Sequence, residues 1–246
     1  MSETGRCHYS GSGNMIESIM LNMKNVEQIG ALSRFFKTGK GQYGEGDSFL
    51  GIKVPQTRAI VKEYWKECSL NDLESLIVSP YHEIRLCALL ILVQIFKHAR
   101  KDKSLQQKCV DFYLSHTQFI NNWDLVDLSC YEILGTWLID KDRTMLYDLA
   151  RNGKTVWEQR IAMVSCMQFV RHGDFDDCLR IADVLLLHNH DLIQKSVGWM
   201  LREVGKRDEG LLKEFLDTRY KIMPRTALRY AIERFPEDVR QEYLRH

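Results

Sequence analysis

The chain has seven cysteines but no CxxC pair, no run of about 18 apolar residues, no excess of either charge, and no alternating apolar and polar stretch of strand length. Each absence excludes something. Seven scattered thiols (Cys7, Cys68, Cys87, Cys109, Cys130, Cys166 and Cys178) in mostly apolar helical text read as reduced core residues, not as disulfides or zinc ligands. His188 and His190 in LLLHNHD lack a third ligand nearby and read as surface residues, so no metal site is expected. Without a membrane-length run, and without an apolar stretch in the first 14 residues, neither a membrane span nor a signal peptide is expected, and the chain is assigned to the cytoplasm. With 34 basic and 33 acidic residues there is no global basic excess, so any surface for a polyanion must come from segregating the cations. The missing strand pattern leaves an all-α fold.

What is present is helical periodicity from about residue 15 to the end. Residues 1–14, MSETGRCHYSGSGN, are small and polar and read as a disordered leader, with Met15 as an alternative start and 15–246 as one domain. Five apolar helices share a texture: 83–96, 123–139, 157–170, 192–205 and 224–235. Their starts lie 40, 34, 35 and 32 residues apart, the drifting period of degenerate two-helix repeats. The amphipathic segments between them suit the outer helix of each pair. Ser69 and Asp72 form a capping-box start, and Pro224 and Pro236 suit first-turn positions. One long irregular stretch remains, KTGKGQYGEGDSFLGIKVPQ. It lacks the GK[ST] ending and the preceding strand of a phosphate loop, and reads as a flexible connector.

Four residues sit at matching places in successive repeats. Trp123 and Asp127 are four apart and share one face of a helix; Arg160 follows Asp127 by 33 residues and Trp199 follows Arg160 by 39. Stacked repeats would bring one carboxylate, one guanidinium and two indoles onto one surface. Together with FLGIKVPQTR at 49–58 and MPRTALRYAIERF at 223–235, these residues make the chain resemble the AlkD-like DNA alkylation repair glycosylases, which are HEAT-like helical-repeat proteins; the resemblance covers roughly 15–245.

The resemblance implies an alkylpurine DNA glycosylase in base excision repair. It would excise cationic N3- or N7-alkylated purines from double-stranded DNA as a monomer without cofactor. Asp127 would be the catalytic carboxylate, Arg160 its partner near the DNA backbone, and Trp123 and Trp199 the aromatic walls. A solenoid with a concave DNA-binding face is expected, lined by Arg58, Arg85, Lys195, Arg202, Lys206, Arg225 and Arg229, with Lys40, Tyr43 and Lys53 of the glycine-rich stretch overhanging it. Lys53 departs from the family pattern, which has Gln there. Two other readings stand beside this one: a non-catalytic DNA-structure binder, and a HEAT-type protein scaffold, which near-neutral charge would suit.

Overall fold

A computed structural model of the chain describes residues 11–245. Among these the secondary structure is helical, and the one β-bridge pairs Ser48 with Tyr81. The chain divides into two compact units, the first ending at Leu125 and the second beginning at Val126.

The first unit holds α1 (Ser12–Asn22), α2 (Val26–Phe35), α3 (Val54–Tyr64), α4 (Leu70–Ile77), α5 (His82–His98) and α6 (Lys103–Ser115). Residues 12–14, read from the sequence as part of the leader, are helical instead. α1 begins at Ser12, whose backbone N–H donates to Asp72 Oδ1 at 3.1 Å, and Gly13 is buried; the rest of the expected leader, with Cys7, lies outside the described residues. Asp72 also closes the anticipated capping box, accepting from Ser69 N–H at 2.8 Å. α5 is apolar on every side, as a central helix must be, and is buried without a break from His82 to Val93. Helices α3, α4 and α6 pack around it, and each Leu or Ile sealed in this way contributes roughly 1.5–3 kcal/mol.

The chain crosses between units inside α7 (Trp123–Asp127). The second unit then contains α8 (Thr144–Asn152), α9 (Val156–Ser165), α10 (Met167–Arg171), α11 (Asp176–Leu185), α12 (Asp191–Gly205), α13 (Glu209–Asp217), α14 (Arg225–Ala231) and α15 (Glu237–Leu244). Short helices alternate with inner ones, and α12 packs against α9, α11, α13 and α14, which is the expected helical repeat. Its approach to α14 is close because residue 198 is glycine: a Cβ there would lie 2.4 Å from Ala227 O and from Tyr230 Cβ. Pro224 and Pro236 occupy N-cap positions, one residue earlier than anticipated.

The helix expected over 123–139 is broken. α7 stops after five residues, a turn follows, and Tyr131–Gly135 form a π-helical turn. This widening coincides with a tight contact, since a Cβ on Gly135 would lie 2.5 Å from Ser165 O at the end of α9. Six of the seven cysteines are described; all six are free thiols and only Cys68 is not fully buried.

Candidate active site

Asp127 closes α7 and Arg160 lies in the second turn of α9. The guanidinium meets the carboxylate as a fork: Arg160 Nε donates to Asp127 Oδ1 at 2.9 Å and Nη2 donates to Oδ2 at 2.8 Å. The remaining Nη1 donates to the backbone oxygen of Leu192 in the first turn of α12. One side chain thus joins α7, α9 and α12, which turns the expected repeat register into an observed contact. Fork geometry fixes a carboxylate in orientation as well as position, because a rotation that improves one bond breaks the other.

Burial grades across the pair. The Arg160 side chain is 7 % exposed and that of Asp127 15 % exposed, so the cation is the buried anchor and the carboxylate the accessible end. Behind them the Cys130 thiol is pushed well above its ordinary range by burial and then by the charge of Asp127, and stays protonated. Trp199 follows Leu192 by seven residues, two turns along the same face of α12, with its indole partly buried against the core of the second unit.

Trp123 opens α7, and its surroundings in the first unit are aromatic. Its ring stacks on Phe36 at 5.4 Å and meets Phe35 edge-on at 5.7 Å. Phe36 in turn stacks on Phe49 and lies 4.6 Å from the His82 ring. Phe36 is buried and Phe35 is 59 % exposed. Nothing in the local pattern of SRFFKTG distinguished the two, and their contact with Trp123 spans too many residues for periodicity to reveal.

Behind these rings lies a buried cluster that the sequence did not disclose. His82 Nδ1 is 2.9 Å from Asp47 Oδ2, and Nε2 is 2.8 Å from Asp124 Oδ2. Burial alone would lower the imidazole pKa; bonds to Asp124 and Asp47 outweigh it and raise the value to about 9. Burial likewise opposes ionisation of Asp47, but His82 and Arg85 hold its pKa below the ordinary range. Arg85, expected at the DNA backbone, belongs to this cluster. It is 4 % exposed and donates to Asp47, Asn121, Ser79 O and Phe119 O, so its donors are turned into the protein. The neighbouring Glu83 carboxylate accepts backbone N–H groups from Leu50, Gly51 and Ile52.

These bonds also correct the expectation of a flexible glycine-rich connector. Its second half is pinned through Asp47 and residues 50–52, and Gly51 has φ +86° with Asn25 O so close that a Cβ would lie 2.1 Å away. Asp124, three residues before Asp127, is a buried partner of His82. His190 is not a bare surface residue either: it accepts from Leu192 N–H at 3.1 Å and caps α12. Among the described residues no three potential ligands cluster as a metal site would require.

The other expected DNA contacts divide in two. Lys40, Lys53, Arg58 and Arg229 are exposed and Tyr43 is half-buried. Lys195 pairs with Asp191 at 2.8 Å, Lys206 with Glu203 at 2.7 Å and Arg202 with Glu233, while Arg225 donates to Leu244 O. Lys195–Asp191 is an exposed pair, which contributes only about 0–1 kcal/mol, so Lys195 can exchange its carboxylate for a phosphate at little cost, whereas Arg202 and the Glu203 partner of Lys206 are largely buried.

Comparison with known proteins places this geometry in context. A family model described as DNA alkylation repair enzyme matches residues 16–235. Among solved structures, a predicted DNA alkylation repair enzyme from Enterococcus faecalis is 18% identical, with a TM-score of 0.67 over 87% of this chain and 98% of that one. At this identity the likeness speaks to the fold. No curated protein matches the chain.

Proposed function

Since this chain belongs to the family of DNA alkylation repair enzymes, we propose that it hydrolyses the N-glycosidic bond of purines made cationic by alkylation at N3 or N7, with Asp127 as the carboxylate that acts on the sugar. The observation that carries this is the Arg160 fork, which holds Asp127 in one orientation while leaving it the more exposed member of the pair.

An alkylated purine already carries positive charge, so breaking its bond to C1′ releases a neutral base and needs no proton donor. Charge builds instead on the sugar, as in glycoside hydrolysis. A preoriented carboxylate stabilises that charge and receives the proton of the attacking water; one fixed group of this kind is worth on the order of 3 kcal/mol of barrier. Arg160 keeps Asp127 aimed. Trp199, in the same unit as Asp127, offers an indole face to the cationic base and sugar, for roughly 0.5–2 kcal/mol. The exposed cations bind phosphates and set affinity without reading sequence.

A second reading draws on the same fork. A carboxylate so fully met by one guanidinium also suits a structural joint between α7, α9 and α12, in a protein that binds damaged DNA without cutting it. Release of bases from matched duplex oligonucleotides separates the two. The glycosylase releases 3-methyladenine and 7-methylguanine and leaves uracil, hypoxanthine and 1,N6-ethenoadenine in place. Efficient release of a neutral base would demand a proton donor and remove this mechanism; binding with no release at all would favour the joint.

A further inference from the structure

A second cluster of charge lies in the second unit and takes no part in the proposed chemistry. Between α8 and α11 opens a cleft of about 580 Å³, within the range of small-ligand sites. α8 contributes Tyr147 and Arg151, four residues apart on one face; α11 contributes Asp177 and Arg180, three apart; and the turn before α8 contributes Lys141 and Arg143.

The fixed charges at the base are mutually satisfied. Arg143 donates through Nη1 to Asp174 at 2.6 Å and Asp177 at 2.7 Å, and through Nε and Nη2 to the backbone oxygens of Leu138 and Ile139. Its guanidinium lies 3.7 Å from the Phe169 ring centre, which holds it flat. Asp177 is also taken by the Tyr147 hydroxyl at 2.5 Å. One of the two lining carboxylates is thereby neutralised from below, and the other, Asp142, is occupied in capping Thr144 N–H at 2.9 Å. At the rim, Lys141 lies over the Trp137 ring at 4.0 Å and pairs with the exposed Asp140, and Arg151 lies 5.4 Å from the Tyr147 ring centre. Arg180 is exposed at the facing wall. Of the four lining cations, Arg143 is held by Asp174 and Asp177 and Lys141 pairs with Asp140, which leaves Arg151 on α8 and Arg180 on α11 as the exposed guanidinium groups of the two walls.

We propose that this cleft is a binding site for phosphate-ester anions, separate from the Asp127–Arg160 pair. Rim cations at fixed aromatic rests, over a base whose carboxylates are already engaged, favour a multiply charged anion with several acceptor oxygens over a neutral or apolar ligand. Such groups come from two sources, a free nucleotide-like phosphate or the backbone of a nucleic-acid strand. The site is independent of the glycosylase assignment and stands or falls without it.

The test uses the full chain and inorganic tripolyphosphate as probe, titrated by calorimetry at low ionic strength. The wild type binds with one-to-one stoichiometry. In the double variant Arg151→Glu with Arg180→Glu affinity falls by on the order of tenfold or more, while Arg180→Lys, which keeps the charge, stays within about threefold. Both altered side chains are exposed, so the thermal transition serves as a folding control. A 12-base-pair duplex then assigns the source. If it displaces tripolyphosphate and its own affinity drops in the double variant, the site takes nucleic-acid backbone; if it does neither, the site takes a free phosphate ester. Absence of tripolyphosphate binding to the wild type, or binding undiminished by the double charge reversal, overturns the proposal.

Discussion

Each unit of this protein carries a group of charges inside its helices, and the two groups are built differently. In the first unit the side chains of Asp47, His82, Arg85 and Asp124 are each at most 5 % exposed and bond to one another, to backbone or, for Arg85, to Asn121. In the second unit the Arg160 anchor is nearly as buried, but Asp127 is 15 % exposed and is held by two bonds from one guanidinium. The first arrangement spends every charge on holding loop 37–53 to the start of α5. The second holds one carboxylate still and leaves it within reach. Similar residue types, in similar helical surroundings, are therefore divided by exposure and by where their donors point, more than by their chemistry. Both groups depend on side chains that meet from distant parts of the chain, 35 to 42 residues apart in one case and 33 in the other.

The largest test of this contrast is Asp47→Ala. It leaves His82 and Arg85 buried without a main partner, and should cost about 3–5 kcal/mol in urea-induced unfolding. A loss below about 1 kcal/mol would show that the first cluster is not what holds the loop. The next effect is in pH. The folded pKa of His82, about 9, lies above its unfolded value of about 6.5, so its contribution is fully present below pH 6.5 and is lost as pH rises through 9. Stability measured from pH 6.5 to 9.5 should fall by on the order of 2–3 kcal/mol, and a His82→Gln variant should lose that slope.

Arg160→Lys sharpens the other side of the comparison. Lysine keeps the charge but cannot make the fork, so excision should drop by on the order of tenfold while stability changes by about 1 kcal/mol. Equal excision would mean that charge alone, without orientation, suffices. The smallest effect concerns the exposed cations. Log affinity for duplex DNA should fall linearly with log salt, and Lys195→Glu should flatten the slope by about one unit. A parent protein with no salt dependence would leave these cations without a role in DNA binding.

Much of this architecture could be read from the sequence, and the part that could not has a physical explanation. The apolar run of α5, the capping box at Ser69 and the alternation of inner and outer helices are local patterns, and periodicity reports local patterns well. Asp127 and Arg160 were legible because a helical repeat converts sequence spacing into spatial register. Arg85 was misplaced because a charged residue at the start of an apolar helix is usually solvated, and only the distant Asp47 and Asn121 make its burial tolerable. Glu83 and Asp124 are buried for a like reason, the one accepting backbone N–H groups from residues 50–52 and the other bonding His82. The break between α7 and the turn at Tyr131–Gly135 escaped notice because WDLVDLSCYEILGTWLI has helical spacing throughout; what accompanies the break is the contact of Gly135 with the end of α9, which no window of local sequence contains.

The most direct test of the central claim is single-turnover release of 7-methylguanine by Asp127→Asn, run beside DNA binding and thermal unfolding. Asparagine fills the same space and can still accept one bond from Arg160, but carries no charge for the developing sugar cation. Excision should fall by on the order of a hundredfold with DNA affinity unchanged within a few-fold, and the unfolding transition should move far less than in Asp47→Ala. An asparagine variant that excises 7-methylguanine at the parent rate would contradict the account and leave Asp127 as a joint between helices.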